Sequence, residues 1–373
     1  MTADGRDNPT PPAAPTRGLA AIILAAGRST RMKTDWPKVM HEVCGRSMLG
    51  HVLSACRQAG IGEFYIVVGF GKQRIIDAFG GQEAVHFIEQ REQKGTGHAV
   101  SMCASALKDF SGDVVVLAGD MPMVRSRTLQ TLIQSHRAAG AAASLATTVL
   151  DDPSSYGRIV RDAAGGFERI VEHRDCTDEQ LKIREVNPSY YCFDARSLFD
   201  ALPRIKPDNA KGEYYVTDVL EVIRQAGKAV RAATSVPAVN AMGINSRADL
   251  AEVSRLMQRR IATEWMEAGV TIDDPETTWI DSRAAVGPDS RIKPFSYIEG
   301  HARIGAGCVV GPYAYVADGA VIEDGMTIGP GVLSALAATT AAGRAAGAVH
   351  KRSAPVVRQP PSPQGCGPRS KSC

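Results

Sequence analysis

The chain has 373 residues, 44% of them hydrophobic and 22% charged, which suffices for a sizeable core and for two domains at roughly 150 residues each. Its net charge of +3 is set by one end: residues 332–373 hold six Lys/Arg and no acid, leaving 37 basic against 40 acidic residues elsewhere, a net of −3. That balance excludes a nucleic-acid binder with a basic recognition face, and no stretch is apolar enough to span a membrane.

Residues 1–17, MTADGRDNPTPPAAPTR, lack an apolar signal core and are expected to form a disordered leader. From Gly18 to Arg247 short apolar runs alternate with helical patterns. AAIILAAG (20–27), FYIVVG (64–69) and DVVVLAGD (113–120) read as buried strands ending in Gly or Gly-Asp. SMLGHVLSACRQAG (47–60) and GHAVSMCASALKDF (97–110) carry apolar residues at helical spacing. The alternation predicts an α/β, Rossmann-like domain over 18–247, a mostly parallel sheet with helices on both faces. Ligands of such sheets collect beyond the carboxyl ends of the strands, which points to the loops after Leu24, Val68 and Leu117.

Leu250, Val253, Met257, Ile261 and Trp265 form one helical stripe and predict a linker helix over 248–269. The period then changes to six. Ile280, Val286, Ile292, Ile298, Ile304, Val310, Val316, Ile322 and Ile328 recur without a miss, the mark of a short left-handed hexapeptide β-helix over 270–331 with three coils. The next position is Ser334, where the pattern stops. The Ala- and Pro-rich basic tail, 332–373, is expected to be disordered, with at most a weak helix around 333–349, and its composition suits a change of reading frame near residue 331.

The eight cysteines (Cys44, Cys56, Cys103, Cys176, Cys192, Cys308, Cys366 and Cys373) form no C-x-x-C pair. They read as reduced thiols of a cytoplasmic protein rather than a disulfide framework or zinc ribbon.

The strongest local motif is LAAGRSTRMKTDWPKVM (24–40). Glycine allows close backbone approach to a ligand, successive loop N–H groups make an anion-binding concavity, and Arg31 and Lys38 bracket the loop. Taken alone, the motif fits either a polyphosphate loop or an ordinary strand–turn with solvated cations.

L-x-x-G-x-x-x-R-M with a downstream Pro-Lys is similar to the sugar-nucleotide pyrophosphorylase signature. The longer run resembles the N-acetylglucosamine-1-phosphate uridylyltransferase half of the bifunctional GlmU family. QREQKGTGHAV (90–100), LAGDMP (117–122), YGRIVR (156–161), IVEHRDCTDEQ (170–180), EVN (185–187), NAKGEYYVTD (209–218), GINSR (243–247) and AGVTIDDPETTWID (268–281) agree in order, and the coils match the start of that family's acetyltransferase half. The resemblance runs from about Gly18 to Pro330.

It implies uridylyl transfer from UTP to N-acetylglucosamine 1-phosphate, giving UDP-N-acetylglucosamine and pyrophosphate for cell-wall precursor synthesis. Arg31 and Lys38 would be catalytic, clamping the triphosphate. Leu24, Ala25, Ala26, Gly27, Gln90, Gly95 and Thr96 would hold the uridine end, and Gly157, Glu172, Asn187 and Thr217 the acetamido sugar. Asp120 and Asn245 would be ligands of Mg2+, a set that suits a hard cation completed by phosphates and water. On residue type alone, Asp120 is equally a strand-end turn, Asn245 a helix N-cap and Glu172 a solvated carboxylate.

The family also implies a trimer, weakened here by the shortness of the β-helix. Three positions depart from its pattern: Ser29 stands for a second glycine, Ala118 for a bulkier residue, and Pro188-Ser189 for Thr-Gly. Proline removes an N–H beside Asn187 and restrains it, so sugar selectivity is expected to differ. No Lys-, Tyr-, His- and Asn-rich acetyl-CoA segment follows Pro330, so acetyl transfer is expected to be lost. Two other readings remain: another sugar-1-phosphate nucleotidyltransferase, or an inactive truncated product or hexapeptide oligomerisation module.

Overall fold

The computed structural model describes residues 18–28, 30–153 and 155–330, and the backbone of 333–334. The expected leader and nearly all of the tail, with Cys366 and Cys373, lie outside the described residues.

In chain order the first part runs β1 (Gly18–Ala25), β2 (Glu42–Val43), β3 (Arg46–Ser47), α1 (Met48–Gln58), β4 (Glu63–Val68), α2 (Lys72–Phe79), β5 (Val85–Glu89), α3 (Thr96–Ser101) and β6 (Gly112–Ala118). It continues through α4 (Ser126–Ala138), β7 (Ala143–Val149), β8 (Gly157–Arg161), β9 (Phe167–Val171), α5 (Asp178–Leu181), β10 (Glu185–Asp194), α6 (Ala195–Ala201), α7 (Thr217–Gln225) and β11 (Val230–Thr234). Helix α8 spans Arg247–Glu267.

The main sheet has the order β11-β7-β10-β6-β1-β4-β5. Strand β1 lies between β4 and β6, parallel to both. The sheet is parallel except around β10, which runs antiparallel to β6, β7 and β8, and at the β8–β9 pair. Alternation along β1 explains the two-sided covering. Ala21, Ile23 and Ala25 join the core shared with α1 and α4, whereas Ala20 and Ile22 join the opposite core with Leu198 of α6 and Val219 of α7. The helix expected over 97–110 is shorter. α3 ends at Ser101 and turns follow, so the apolar residues Cys103 and Leu107 reach the core from irregular backbone.

Ser246 and Asp249 form a capping box that starts α8. Val253, Met257 and Ile261 of the predicted stripe are buried, with Leu250 and Trp265 packed at its ends. Beyond it, eleven two-residue strands, β12–β22, start at Thr271–Ile272 and end at Leu333–Ser334. They stack as three parallel sheets, β12-β15-β18-β21, β13-β16-β19-β22 and β14-β17-β20.

All nine predicted aliphatics point inward and are buried. The coils hold one aliphatic more than the nine expected and run past residue 331. Ile272 is a tenth buried aliphatic, and β22 pairs with β19 in the register Val316↔Ser334. Backbone hydrogen bonding between parallel rungs does not require an aliphatic at the next position. Among the described residues no helix is long and apolar enough to cross a membrane.

Candidate active site

Two cavities meet at the carboxyl edge of β1 and β6. The first, about 420 Å³, is lined by Leu24 to Gly27, Lys38, Gln90, Gly95 and Thr96 among others. The second, about 520 Å³, takes in Gly157, Glu172, Asn187, Pro188, Ser189 and Asn245. Arg31, Ala118 and Asp120 line both. The loops after Leu24 and Leu117 thus stand where the sheet rule put them. The loop after Val68 does not: Gly69 packs on Ala26, where a Cβ would come 2.8 Å from its carbonyl oxygen, so this loop buttresses β1 instead of lining a cavity.

The centre of the site is a charged knot. Lys38, placed by Pro37 (φ −56°), ion-pairs with Asp120 Oδ2 and donates to Asn245 Oδ1 at 3.1 Å. Arg31 Nη2 donates to the same amide oxygen at 2.8 Å. The two cations and the two proposed metal ligands therefore already touch. The N-cap alternative for Asn245 fails. Ser246 caps α8, and Asn245 gives only its backbone N–H to that motif, at 2.8 Å from Asp249 Oδ2. No cluster of three or more His, Cys, Asp or Glu suited to a metal occurs among the described residues. One carboxylate and one amide oxygen still fit a hard divalent cation that draws its other ligands from phosphates and water.

In the first cavity a Cβ on Gly27 would meet no protein atom within 4 Å, so glycine there serves open space rather than packing. Gly95 is different. Its φ is +107° and a Cβ would lie 2.4 Å from the Tyr214 carbonyl oxygen. Buried Gln90 donates to Gly95 O at 3.1 Å and lies 3.0 Å from His98 Nδ1. With both amide protons engaged, its carbonyl oxygen is left as the acceptor for a base N–H. Thr96 Oγ1 accepts from Val216 N at 3.0 Å, tying this wall to the start of α7.

In the second cavity Gly157 pairs with Asn187 across β8 and β10. A Cβ on Gly157 would come 2.9 Å from Ile170 Cγ2 and 3.5 Å from Glu172 Cδ. Glu172 is not a solvated carboxylate: burial raises its pKa, with the Lys211 charge opposing. Thr217 is buried at the first position of α7, 3.5 Å from Glu172 Oε1, and lines neither cavity. Asn187 donates to the Tyr191 hydroxyl at 2.6 Å and accepts from Ser189 N at 3.0 Å. That turn sits in an irregularity of β10 between Val186 and Tyr190, with Ser189 at φ +63°. The Pro188-Ser189 departure is thus built into a bulge, where no ladder N–H is asked of proline.

Several lining residues are not among the site residues expected from the sequence. Arg28, Thr30, Gln93 and Glu213 border the first cavity, and Tyr156, Met242 and Asp249 the second. Gln93 donates to Ala26 O at 2.8 Å and lies inside the QREQKGTG run, where its polarity beside two glycines was the available cue.

Sheet order, paired cavities and cationic knot define a nucleotidyltransferase domain. The MobA-like NTP transferase domain model matches residues 21–232, more than half of the chain, and the chain belongs to that family. Models of the bacterial transferase hexapeptide match 283–317 and 301–333.

The resemblance read from the motifs also holds against curated proteins. "Bifunctional protein GlmU" of Pelotomaculum thermopropionicum is 46% identical over 278 residues, 74% of this chain and 60% of that protein. Its counterpart from Geobacter metallireducens is 48% identical over 276 residues, 74% of this chain and 58% of that protein. The chain therefore spans about 60% of the length of these relatives. A crystal structure of UDP-glucose pyrophosphorylase complexed with UDP-glucose aligns with a TM-score of 0.55 at 17% identity, covering 65% of this chain and 99% of that one, a likeness of fold alone.

Proposed function

We propose that the chain transfers a uridylyl group from UTP to N-acetylglucosamine 1-phosphate, releasing pyrophosphate and supplying a cell-wall precursor. The observation that carries this reading is the pair of cavities sharing Arg31 and Asp120: one substrate on either side of a common charged wall. Both substrates are polyanions, so their mutual repulsion is the first barrier, and positioning with charge neutralisation is the main source of acceleration.

The triphosphate would lie along Leu24–Gly27 and draw Arg31 and Lys38 off Asn245 and Asp120 onto its oxygens. Asp120 and Asn245 would then hold Mg2+, which supplies further charge neutralisation between the phosphates. The sugar phosphate, seated by Gly157, Glu172 and Asn187 with Thr217 steadying Glu172, would attack the α-phosphorus in line and expel pyrophosphate. Its oxygen is ionised at pH 7, so no general base is needed.

The test is pyrophosphate release from the purified chain with magnesium, UTP and a panel of sugar phosphates. N-acetylglucosamine 1-phosphate should be preferred over glucose 1-phosphate, and UTP over other triphosphates. Preference for another pair would move the chain to a different sugar-1-phosphate nucleotidyltransferase, and no release above blank would end the reading.

We infer that the coils carry out no acetyl transfer. His301, the one histidine of the described coils, is exposed and paired with Asp318 at 3.3 Å. Release of free CoA from acetyl-CoA and glucosamine 1-phosphate would contradict this. We place the protein in the cytoplasm because its cysteines read as reduced thiols with no C-x-x-C pairing. We read the coils as a trimer surface, checked by sedimentation velocity.

A further inference from the structure

The segment after Asp120 leads from the transfer site to a third cavity of about 310 Å³, between α1, the start of α4, α8 and Ser282. Four arginines line it: Arg46, Arg125, Arg127 and Arg260. The one carboxylate among the lining residues is Glu264, exposed and 3.7 Å from Arg125. A local surplus of positive charge is unexpected where the chain outside 332–373 is net acidic.

Arg260 is engaged, donating to Asn240 Oδ1 at 2.7 Å and to the Met123 carbonyl. Arg46 and Arg127 make no side-chain hydrogen bond or ion pair among the described residues. Two further features point the same way. No side chain caps the thirteen-residue helix α4, and its first residues, Ser126 and Arg127, line the cavity, so the positive end of the helix dipole faces it. Ser282 Oγ is buried there without a hydrogen-bond partner. Burial and then Arg125 lower the Arg260 pKa to about 10. Burial, with the Arg46 and Arg260 charges adding against the Val43 hydrogen bond, lowers His51 to about 4. His51 is therefore neutral at pH 7 and adds no charge of its own.

We propose that this cavity is a second anion site, distinct from the transfer site, that takes a compact phosphate-class ligand. Guanidinium groups match phosphate oxygens in paired, charge-assisted hydrogen bonds. The volume is at the small end for ligand cavities and suits a phosphate or diphosphate rather than a nucleotide. Pro122, Val124 and Arg125 line it two to five residues beyond Asp120, so an occupant would press on the segment that carries a transfer-site carboxylate. The proposal does not depend on which sugar nucleotide the chain makes.

The test titrates inorganic phosphate and, separately, diphosphate into the full chain by calorimetry, using wild type, R46A/R127A and K38A. K38A should keep a phosphate site and R46A/R127A should bind that phosphate at least about tenfold more weakly. The tighter of the two anions identifies the ligand. In wild type the His51 ring proton resonance should move with phosphate along the same binding curve. If R46A/R127A binds as wild type does, or the His51 resonance stays still at saturation, the site is not there. Should the double variant fail to fold, the His51 titration of wild type and K38A decides alone.

Discussion

At the scale of single residues, the proposed reaction gives Lys38 two roles that exclude each other. Without substrate its ammonium neutralises Asp120 and engages Asn245; with a triphosphate bound, the same charge is needed on phosphate. Lys38→Ala should therefore lower kcat by about 10²–10³-fold with an unchanged melting temperature, and Arg31→Ala should act in the same sense. Removing the ammonium also frees Asp120. Mn2+ binding to the nucleotide-free chain, read by electron paramagnetic resonance, should be tighter in Lys38→Met than in wild type.

Asp218 offers a pH test. Burial, then the charges of Glu172, Glu221 and Asp175, raise its pKa from 3.8 to about 6. A carboxyl raised on folding stabilises fully below its unfolded pKa and loses that contribution as pH rises through the folded value. The stability of wild type relative to Asp218→Asn should thus fall between pH 4 and pH 7. The shift should be about 1 kcal/mol after solvent screening, or roughly 2–4 °C in Tm by calorimetry.

At the scale of elements, the proposed sugar wall depends on two strands meeting without a side chain between them. Gly157→Ala would push a methyl against Ile170 and toward Glu172. KM for the sugar phosphate should rise by about tenfold or more while KM for UTP stays level, as steady-state kinetics would report. This wall was only partly legible. EVN and YGRIVR mark its residues by resemblance, but the pairing of Gly157 with Asn187 follows from β8 adding to β10, an antiparallel edge that strand–helix alternation does not announce.

The reverse holds for α8. Its stripe is local, a 3.6-residue period readable in place, whereas its cap, offered on residue type to Asn245, falls to Ser246 in the structure. The shortened α3 shows where such reading stops. Residues 102–109 carry helical spacing, yet tertiary contacts bury Cys103 and Leu107 from turns.

At the scale of the molecule, the coils and the transferase share a core. Val43 of β2, Met48 of α1, Met123, the inner face of α8, and Ile272, Ile280 and Ile298 form one buried cluster. A chain ending at residue 268 should expose half of it, showing a lower Tm and new binding of a hydrophobic dye; an unchanged Tm would mean the cores are independent. Gly45 marks the junction. It has φ +79°, and a Cβ would lie 1.6 Å from Asp281 Oδ2, the carboxylate that holds Arg283. Gly45→Ala should cost roughly 2–4 kcal/mol, measured by urea denaturation.

The amino-acid order alone determined the strand–helix alternation and the period-six coils, because each repeat is satisfied by neighbours a few residues away. It also marked Arg31, Lys38, Asp120 and Asn245 as site residues through their resemblance to a known pattern. Only the tertiary structure decided that Lys38 and Arg31 reach Asn245, 207 and 214 residues along the chain. That contact requires β6 beside β1 and the start of α8 across their carboxyl ends. No periodicity encodes such a placement, since it arises from packing two faces of one sheet and a shared third core at once.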